Sequence, residues 1–269
     1  MTEQPEENSL FRVRTPDDLD APDALGFTAW ARVWTELGVR CVPREAHQEL
    51  IRHYDEPHRA YHNRQHLAEC LQVRRLVNAA CQAPAVVDLA LWFHDAIYDP
   101  LRSDNELRSA QWLDEVARDS GLDDETRRRL YDLVMATRHD SAPQSLDEAV
   151  LVDTDLAILG ASFERFEEYD QQVRREYLHV PMSIYRQKRR QILEGFLTRD
   201  RIYATAPTST HSSSRHAQIL PAPSAVSIDI GFMQQHRRLL ARASSTGLTV
   251  SDTAQQPLTW VRKPAQCAA

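Results

Sequence analysis

The sequence predicts an all-α protein, and three observations support this. Glycine accounts for only 7 of the 269 residues while 26% are charged, a composition that favours helices over strands. Apolar residues recur at helical spacing along residues 25–205. Proline, asparagine and glycine stand where helices would begin or end. With a hydrophobic fraction of 42%, the chain can form one large domain, or one domain with an appendage.

The first three predicted helices precede residue 81. An apolar stripe rich in tryptophan forms the first, and Gly38 is its stop signal. The second helix, 44–54, follows Pro43. The third spans 60–80, and Asn63 is its candidate N-cap.

The later helices follow one another closely. Pro84 opens a strongly apolar helix, Gly121 ends the next one, and Pro181 precedes the last. In chain order, the predicted helical segments are 84–100, 104–122, 123–140, 146–162, 162–180 and 185–203.

The two ends of the chain differ from this helical region. Residues 1–22 are acidic and polar, and we expect a flexible leader there, followed by a helical domain over residues 23–206. Residues 207–269 are rich in Ser, Pro and Ala and have no helical stripe. Their composition predicts a disordered tail, and a shifted reading frame in the gene would also explain the change.

Charge and cysteine content predict the setting of the protein. A net charge of −7 argues against general nucleic-acid binding. The four cysteines show no CxxC spacing, which is typical of reduced thiols in a cytosolic protein. We find neither a signal peptide nor an apolar run of about 18 residues that could span a membrane, so we expect a cytoplasmic location.

The segment LALWFHDAIYDP, residues 89–100, carries the central chemical signal. His94 and Asp95 are adjacent within a strongly apolar run. Burying an imidazole and a carboxylate is costly unless a partner compensates them, and a divalent metal ion is one such partner. A His-Asp hydrogen bond near a helix end is the simpler alternative.

Two further segments supply residues of the same types. His62 and His66 are four residues apart, so on one helix both imidazoles would share a face, as pairs of metal ligands do. Two solvent-facing histidines are the alternative. Asp153 and Asp155 interrupt an apolar helix, where two buried carboxylates need a cation or hydrogen-bond donors. Because positions i and i+2 point in different directions, one carboxylate is expected to bind metal and the other to brace a neighbouring group.

Three other residues are weaker candidates. Asn105 and Glu106 would lie in the loop and first helical turn after the His-Asp pair, where an ordinary helix cap is the alternative. His139 would end its helix, and a helix C-terminal cation is the simpler interpretation of it.

In their order along the chain, these segments resemble the HD-domain superfamily. YHNRQHL, LALWFHDAIYDP, SDNELRSA and DTDLAILG are similar to motifs of the bacterial group of predicted metal-dependent HD phosphohydrolases, over about residues 25–205. The resemblance implies an HD-domain-like helical bundle and one divalent ion, with Mn, Mg, Fe and Zn all open. The ligands that it implies are His66, His94 and Asp95 with either Asp155 or Asp153, and Asp155 is slightly favoured.

The resemblance also implies an activity. A small phosphorylated substrate, with nucleotides among the candidates, would be hydrolysed by a metal-activated water. Asp95 would help to deprotonate that water, and Glu106 and Asn105 would orient it or contact the substrate. His62 and His139 would complete a second metal site or contact phosphate. A nucleotide-binding sensor without turnover and a di-iron HD-type oxygenase are the alternatives, and the sequence leaves the oligomeric state open.

Overall fold

The computed structural model describes residues 24–77, 81–199 and 202–205. In this described part every regular element is a helix, which confirms the all-α prediction. None of its helices combines the length and the apolar character needed to cross a membrane. The predictions for the leader, 1–22, and for the tail, 207–269, lie outside the described residues.

Three helices precede the central one. They are α1 (Phe27–Glu36), α2 (Arg44–Tyr54) and α3 (Arg64–Leu76). Gly38 ends the first with φ +83°, a backbone conformation that glycine adopts without steric cost. Asn63 caps α3, because its side chain accepts a hydrogen bond from the Gln65 amide at 2.9 Å.

Helix α4 (Pro84–Phe93) is the centre of the fold. Every residue from Val86 to Phe93 is buried, and the helix packs against α1 and α3 as well as against later helices. Its one carboxylate, Asp88, is paired with buried Arg74, so no uncompensated charge enters the core there. The end of this helix therefore has a fixed place in the molecule.

The remaining helices surround α4 and extend beyond it. They are α5 (Asn105–Asp119), α6 (Asp124–Ala136), α7 (Leu146–Asp155), α8 (Phe163–Glu176) and α9 (Met182–Leu197). A short 3-10 helix, Leu156–Gly160, continues α7. Helices α5, α6 and α7 join the main core around α4. A second apolar cluster joins the end of α7 to α8 and to Leu193 of α9.

Several helix boundaries differ from the prediction, and three of them change the setting of candidate residues. The third helix begins at Arg64, so His62 precedes it, because Asn63 takes the cap position. Helix α4 ends at Phe93, which places His94 and Asp95 in the turn beyond the helix. Helix α6 ends at Ala136, and His139 lies in a turn with φ +55°.

Candidate metal centre

Four side-chain atoms from three helix ends converge on one point. His66 lies in the first turn of α3, His94 and Asp95 follow α4, and Asp155 is the last residue of α7. The His66 and His94 Nε2 atoms are 3.1 Å apart. Asp95 Oδ2 lies 3.3 Å from His66 Nε2 and 3.0 Å from His94 Nε2. Asp155 Oδ1 lies 3.3 Å and 3.6 Å from the same two nitrogens.

These separations fit ligands around one ion. With bonds of about 2.1 Å to nitrogen or oxygen, neighbouring ligand atoms are about 3.0 Å apart in an octahedron and about 3.4 Å apart in a tetrahedron. The five measured distances run from 3.0 to 3.6 Å. The donor atoms therefore already stand at coordination spacing.

The centre is closed on its histidine side and open on its carboxylate side. The side chains of His66 and His94 are 2% and 1% exposed, whereas those of Asp95 and Asp155 are 17% and 15% exposed. Water and small solutes therefore reach the centre past the two aspartates.

A backbone carbonyl orients the His94 ring. Its Nδ1 lies 2.8 Å from the Leu91 carbonyl oxygen, which can only accept a hydrogen bond. Nδ1 must therefore carry a proton, and in the neutral ring Nε2 presents its lone pair to the centre. Metal-binding histidines are commonly held in this way.

His66 is held differently. Its ring lies against buried Cys70, whose Sγ is 3.7 Å from His66 Nδ1. His66, Cys70, His94 and Asp155 each offer a donor atom, and these four atoms lie within 4.8 Å of one another. This group could hold a metal ion. A small cavity beside it is lined by Cys70 and Thr154, and the buried Thr154 hydroxyl has no hydrogen-bond partner.

The two carboxylates are stabilised as anions. Burial alone would raise the pKa of Asp95, but the neighbouring imidazoles, above all that of His94, hold it well below its usual range. Burial opposes ionisation of Asp155 as well, and hydrogen bonds from His139, His66 and His94 keep its pKa low. Burial opposes protonation of His66 and His94, but the neighbouring side chains raise the pKa of both well above its usual value. Imidazole protons therefore balance the two carboxylates, and a bound cation would take their place.

Asp153 lies outside the centre. Its two oxygens accept hydrogen bonds from the backbone amides of Ala204 and Thr205, at 2.9 and 2.7 Å, and from the Thr205 hydroxyl at 2.6 Å. Of the two aspartates that the sequence left open, the structure brings only Asp155 to the histidines. Asp153 instead binds the segment that follows α9 through these hydrogen bonds.

His139 and His62 flank the centre without entering it. His139 Nε2 lies 3.0 Å from Asp155 Oδ2, the oxygen that does not face the two ligand histidines. His62 Nδ1 lies 2.7 Å from Glu176 Oε2. Each of these histidines therefore has one ring nitrogen committed to a carboxylate.

Asn105 and Glu106 have different surroundings. The side-chain amide of Asn105 accepts a hydrogen bond from the Asp99 backbone N–H at 3.1 Å and donates one to the Asp99 backbone carbonyl at 2.9 Å. These two bonds close the loop before α5. Glu106 lies near Asp95, and burial followed by the charge of Asp95 raises its pKa, while Arg138 and His139 oppose the shift. Glu106, Arg138 and His139 form what we call the rim of the centre.

Sequence inspection missed Glu176 and Arg59. Glu176 lies in a strongly charged helix and looks like a surface residue, but it continues the apolar stripe of Phe166, Tyr169 and Val173 at helical spacing. A carboxylate that continues an apolar stripe is expected to be buried, so this position could have been noticed in the sequence. Arg59 gives no such signal, although its buried guanidinium binds the carbonyl oxygens of both Asp95 and Ala96.

No protein-family model, curated protein or solved structure matches the chain. The resemblance to HD-domain proteins therefore stays an expectation. The functional interpretation rests on the geometry of the centre.

Proposed function

We propose that this protein is a metal-dependent phosphohydrolase. One observation carries the proposal: four His and Asp donor atoms stand at coordination spacing, and the two carboxylates among them are partly exposed to solvent. The order of its residues along the chain agrees with the HD-domain resemblance.

His66, His94, Asp95 and Asp155 would hold the ion, and two nitrogen with two oxygen donors suit Mn²⁺, Fe²⁺ or Zn²⁺ better than Mg²⁺. When bound, a divalent ion would supply Lewis-acid chemistry, lowering the pKa of a water and neutralising charge on a phosphate oxygen. The nearby Cys70 thiol would add affinity for soft ions.

The residues on the open side move the protons in this proposal. Asp95, through the oxygen that lies outside the cluster, accepts a proton from the attacking water. The water oxygen forms a bond to phosphorus as the ester oxygen leaves. Glu106, whose raised pKa keeps a larger fraction protonated, returns a proton to that leaving oxygen. The products are an alcohol and a phosphate.

The rim suggests what the substrate carries. The charge of Arg138 acts on Glu106 and lowers its pKa, so a guanidinium lies close enough to this part of the centre to be felt there. A phosphate group is matched by such cationic donors. We therefore propose a small phosphorylated substrate, with nucleotides among the candidates.

A pair of variants tests the proposal. Asp155→Asn removes a charged donor from the centre, whereas Asp153→Asn removes an equal charge two residues away, where the carboxylate binds Thr205. We expect one equivalent of metal in the wild type and in Asp153→Asn, and much less in Asp155→Asn, by elemental analysis. Phosphate release from a panel of monoesters, cyclic diesters and nucleotides should follow the metal content.

Other outcomes would redirect the assignment. A wild-type protein without bound metal would contradict the proposed metal-dependent hydrolysis. Metal together with a retained nucleotide but no turnover would indicate a sensor module. Two irons per chain without phosphate release would favour a di-iron oxygenase.

A further inference from the structure

We infer that Glu176 is a positioning residue that holds His62 in one tautomer, with the proton on Nδ1, so that Nε2 accepts a hydrogen bond from the attacking water. The first half of this inference concerns the protein alone. The second half rests on the proposed hydrolysis. In this arrangement His62 is a catalytic residue, and Asp95 remains the group that removes the proton.

Glu176 is the most heavily hydrogen-bonded carboxylate near the centre. Its Oε1 accepts from the backbone amides of Ala60, Tyr61 and His62 at 2.9, 2.7 and 3.0 Å. Its Oε2 accepts from the Tyr98 hydroxyl at 2.8 Å and faces His62 Nδ1 at 2.7 Å. The residue as a whole is only 5% exposed.

These contacts exceed what a structural role requires. Three amides already satisfy Oε1 and fix the turn before α3. The second oxygen is left to bind two side chains, and one of them is an imidazole at the edge of the metal centre. A carboxylate behind a histidine ring is the usual device for setting its tautomer.

The ring of His62 has little freedom to turn. It stacks on Tyr98 with centroids 4.2 Å apart and an interplanar angle of 25°, and it meets Tyr61 edge-on at 5.0 Å. Arg59 donates to the carbonyl oxygens of both His62 and Asp95, at 3.1 and 2.6 Å. This bridge ties the His62 turn to the turn that carries the metal ligand Asp95.

Hydrogen-bond chemistry then determines the tautomer. An ionised carboxylate has no proton to give, so His62 Nδ1 must be the donor in the bond to Glu176. In the neutral ring, Nε2 is left as an acceptor. The His62 side chain is 23% exposed, and its ring meets that of His66 edge-on with centroids 5.9 Å apart. A water at the centre can give one proton to Asp95 while its other O–H bonds to His62 Nε2.

Glu176→Gln tests the inference with little change in shape. The Gln carbonyl oxygen can keep the three amide bonds, but its NH₂ group faces His62 Nδ1 and can only donate. We expect the ring to switch to the tautomer with the proton on Nε2. Long-range ¹H–¹⁵N correlation spectra would report this, with the His62 signals assigned from a His62→Asn sample.

Two control variants leave the hydrogen bond between His62 and Glu176 intact. Tyr98→Phe removes the other bond to the same Glu176 oxygen, and Glu167→Gln changes an exposed carboxylate on α8. Both should keep the wild-type tautomer. In Glu176→Gln, kcat should fall about 100-fold with KM and metal content little changed, since a group that orients the reacting water contributes on that order.

The outcomes separate the two halves of the inference. A wild-type His62 protonated on Nε2 would overturn the positioning role, and this measurement needs neither a variant nor a substrate. A switched tautomer with unchanged kcat would overturn the contact with the attacking water. Absence of phosphate release from the wild type would contradict the proposed function and leave the tautomer result standing.

Discussion

At the scale of single residues, the two aspartates of α7 show how position on a helix decides a role. Asp153 and Asp155 are two residues apart, so their side chains point in different directions around the helix axis. Asp155 faces His66 of α3 and His94 just after α4, whereas Asp153 faces the segment at Thr205. The sequence could predict that the two differ, but which one faces the histidines depends on tertiary packing.

Glu176 makes a residue-scale prediction about acid stability. Burial opposes ionisation of Glu176, but the charge of His62 and the surrounding hydrogen bonds lower its pKa to about 2 from 4.5. A lowered pKa stabilises the fold above pH 4.5, and that stabilisation is lost as the pH falls through about 2. The shift corresponds to about 3 kcal/mol.

Urea unfolding of the wild type and of Glu176→Gln between pH 7 and pH 2 measures this contribution. We expect the free energy of unfolding of the wild type to fall more steeply below pH 4.5. Glu167→Gln should keep the wild-type slope, because its carboxylate is exposed. Parallel curves for the wild type and Glu176→Gln would contradict the assignment.

At the scale of elements, α4 was the easiest to predict and matters most for stability. Leu89 lies in it with no exposed surface, and α1, α3, α5, α6 and α7 all pack against the helix. Leu89→Ala should cost about 2–5 kcal/mol, because a cavity forms where the neighbours cannot collapse. Leu101, which is 70% exposed, provides the control.

Chemical denaturation of both variants provides the measurement. Leu101→Ala should change the free energy of unfolding by less than about 0.5 kcal/mol. Equal effects of the two substitutions would mean that α4 is not the packed centre of the fold.

Helix ends were harder to predict than helices. Residues 60–63 were predicted to be the first turn of the third helix. The Asn63 side chain instead accepts a hydrogen bond from the Gln65 backbone amide and donates one to the Ala60 carbonyl, so the helix starts at Arg64. His62 therefore lies in a turn, from which it reaches Glu176, 114 residues away in the chain. Apolar spacing locates helices, whereas a contact of this range is invisible to any local pattern.

At the scale of the whole molecule, the candidate metal centre connects distant parts of the chain. Its donor residues come from α3, from the turn after α4 and from α7, and none of these segments holds a complete set. An ion bound there would stabilise the folded state relative to the unfolded chain, in which the ligands are dispersed. Chelation should therefore lower the melting temperature.

The expected change in melting temperature is about 6–12 °C, if the ion contributes about 3 kcal/mol to a domain of this size. Differential scanning fluorimetry with and without EDTA would measure it. Asp155→Asn should melt at one temperature in both conditions, and Asp153→Asn should respond as the wild type does. An unchanged melting temperature in a sample shown to have lost its metal would contradict this.

Residue chemistry predicted the centre better than it predicted the residues that support it. His94 and Asp155 drew notice because they interrupt apolar stretches, and His66 because it lies four residues from His62. The structure brings these three together. Asn105 was a candidate for contacting substrate, but its amide closes the loop at Asp99. Glu176 and Arg59 act on residues far from them in the chain, which only the fold could reveal.

The two carboxylates at the centre also limit which phosphate ester would bind well. A divalent ion balances Asp95 and Asp155, so a loaded centre has no positive charge to spare. A phosphomonoester brings about two negative charges at neutral pH, and a diester brings one. The guanidinium of Arg138 is partly engaged by Asp140, at 2.9 Å. We therefore expect diesters to bind more tightly than monoesters.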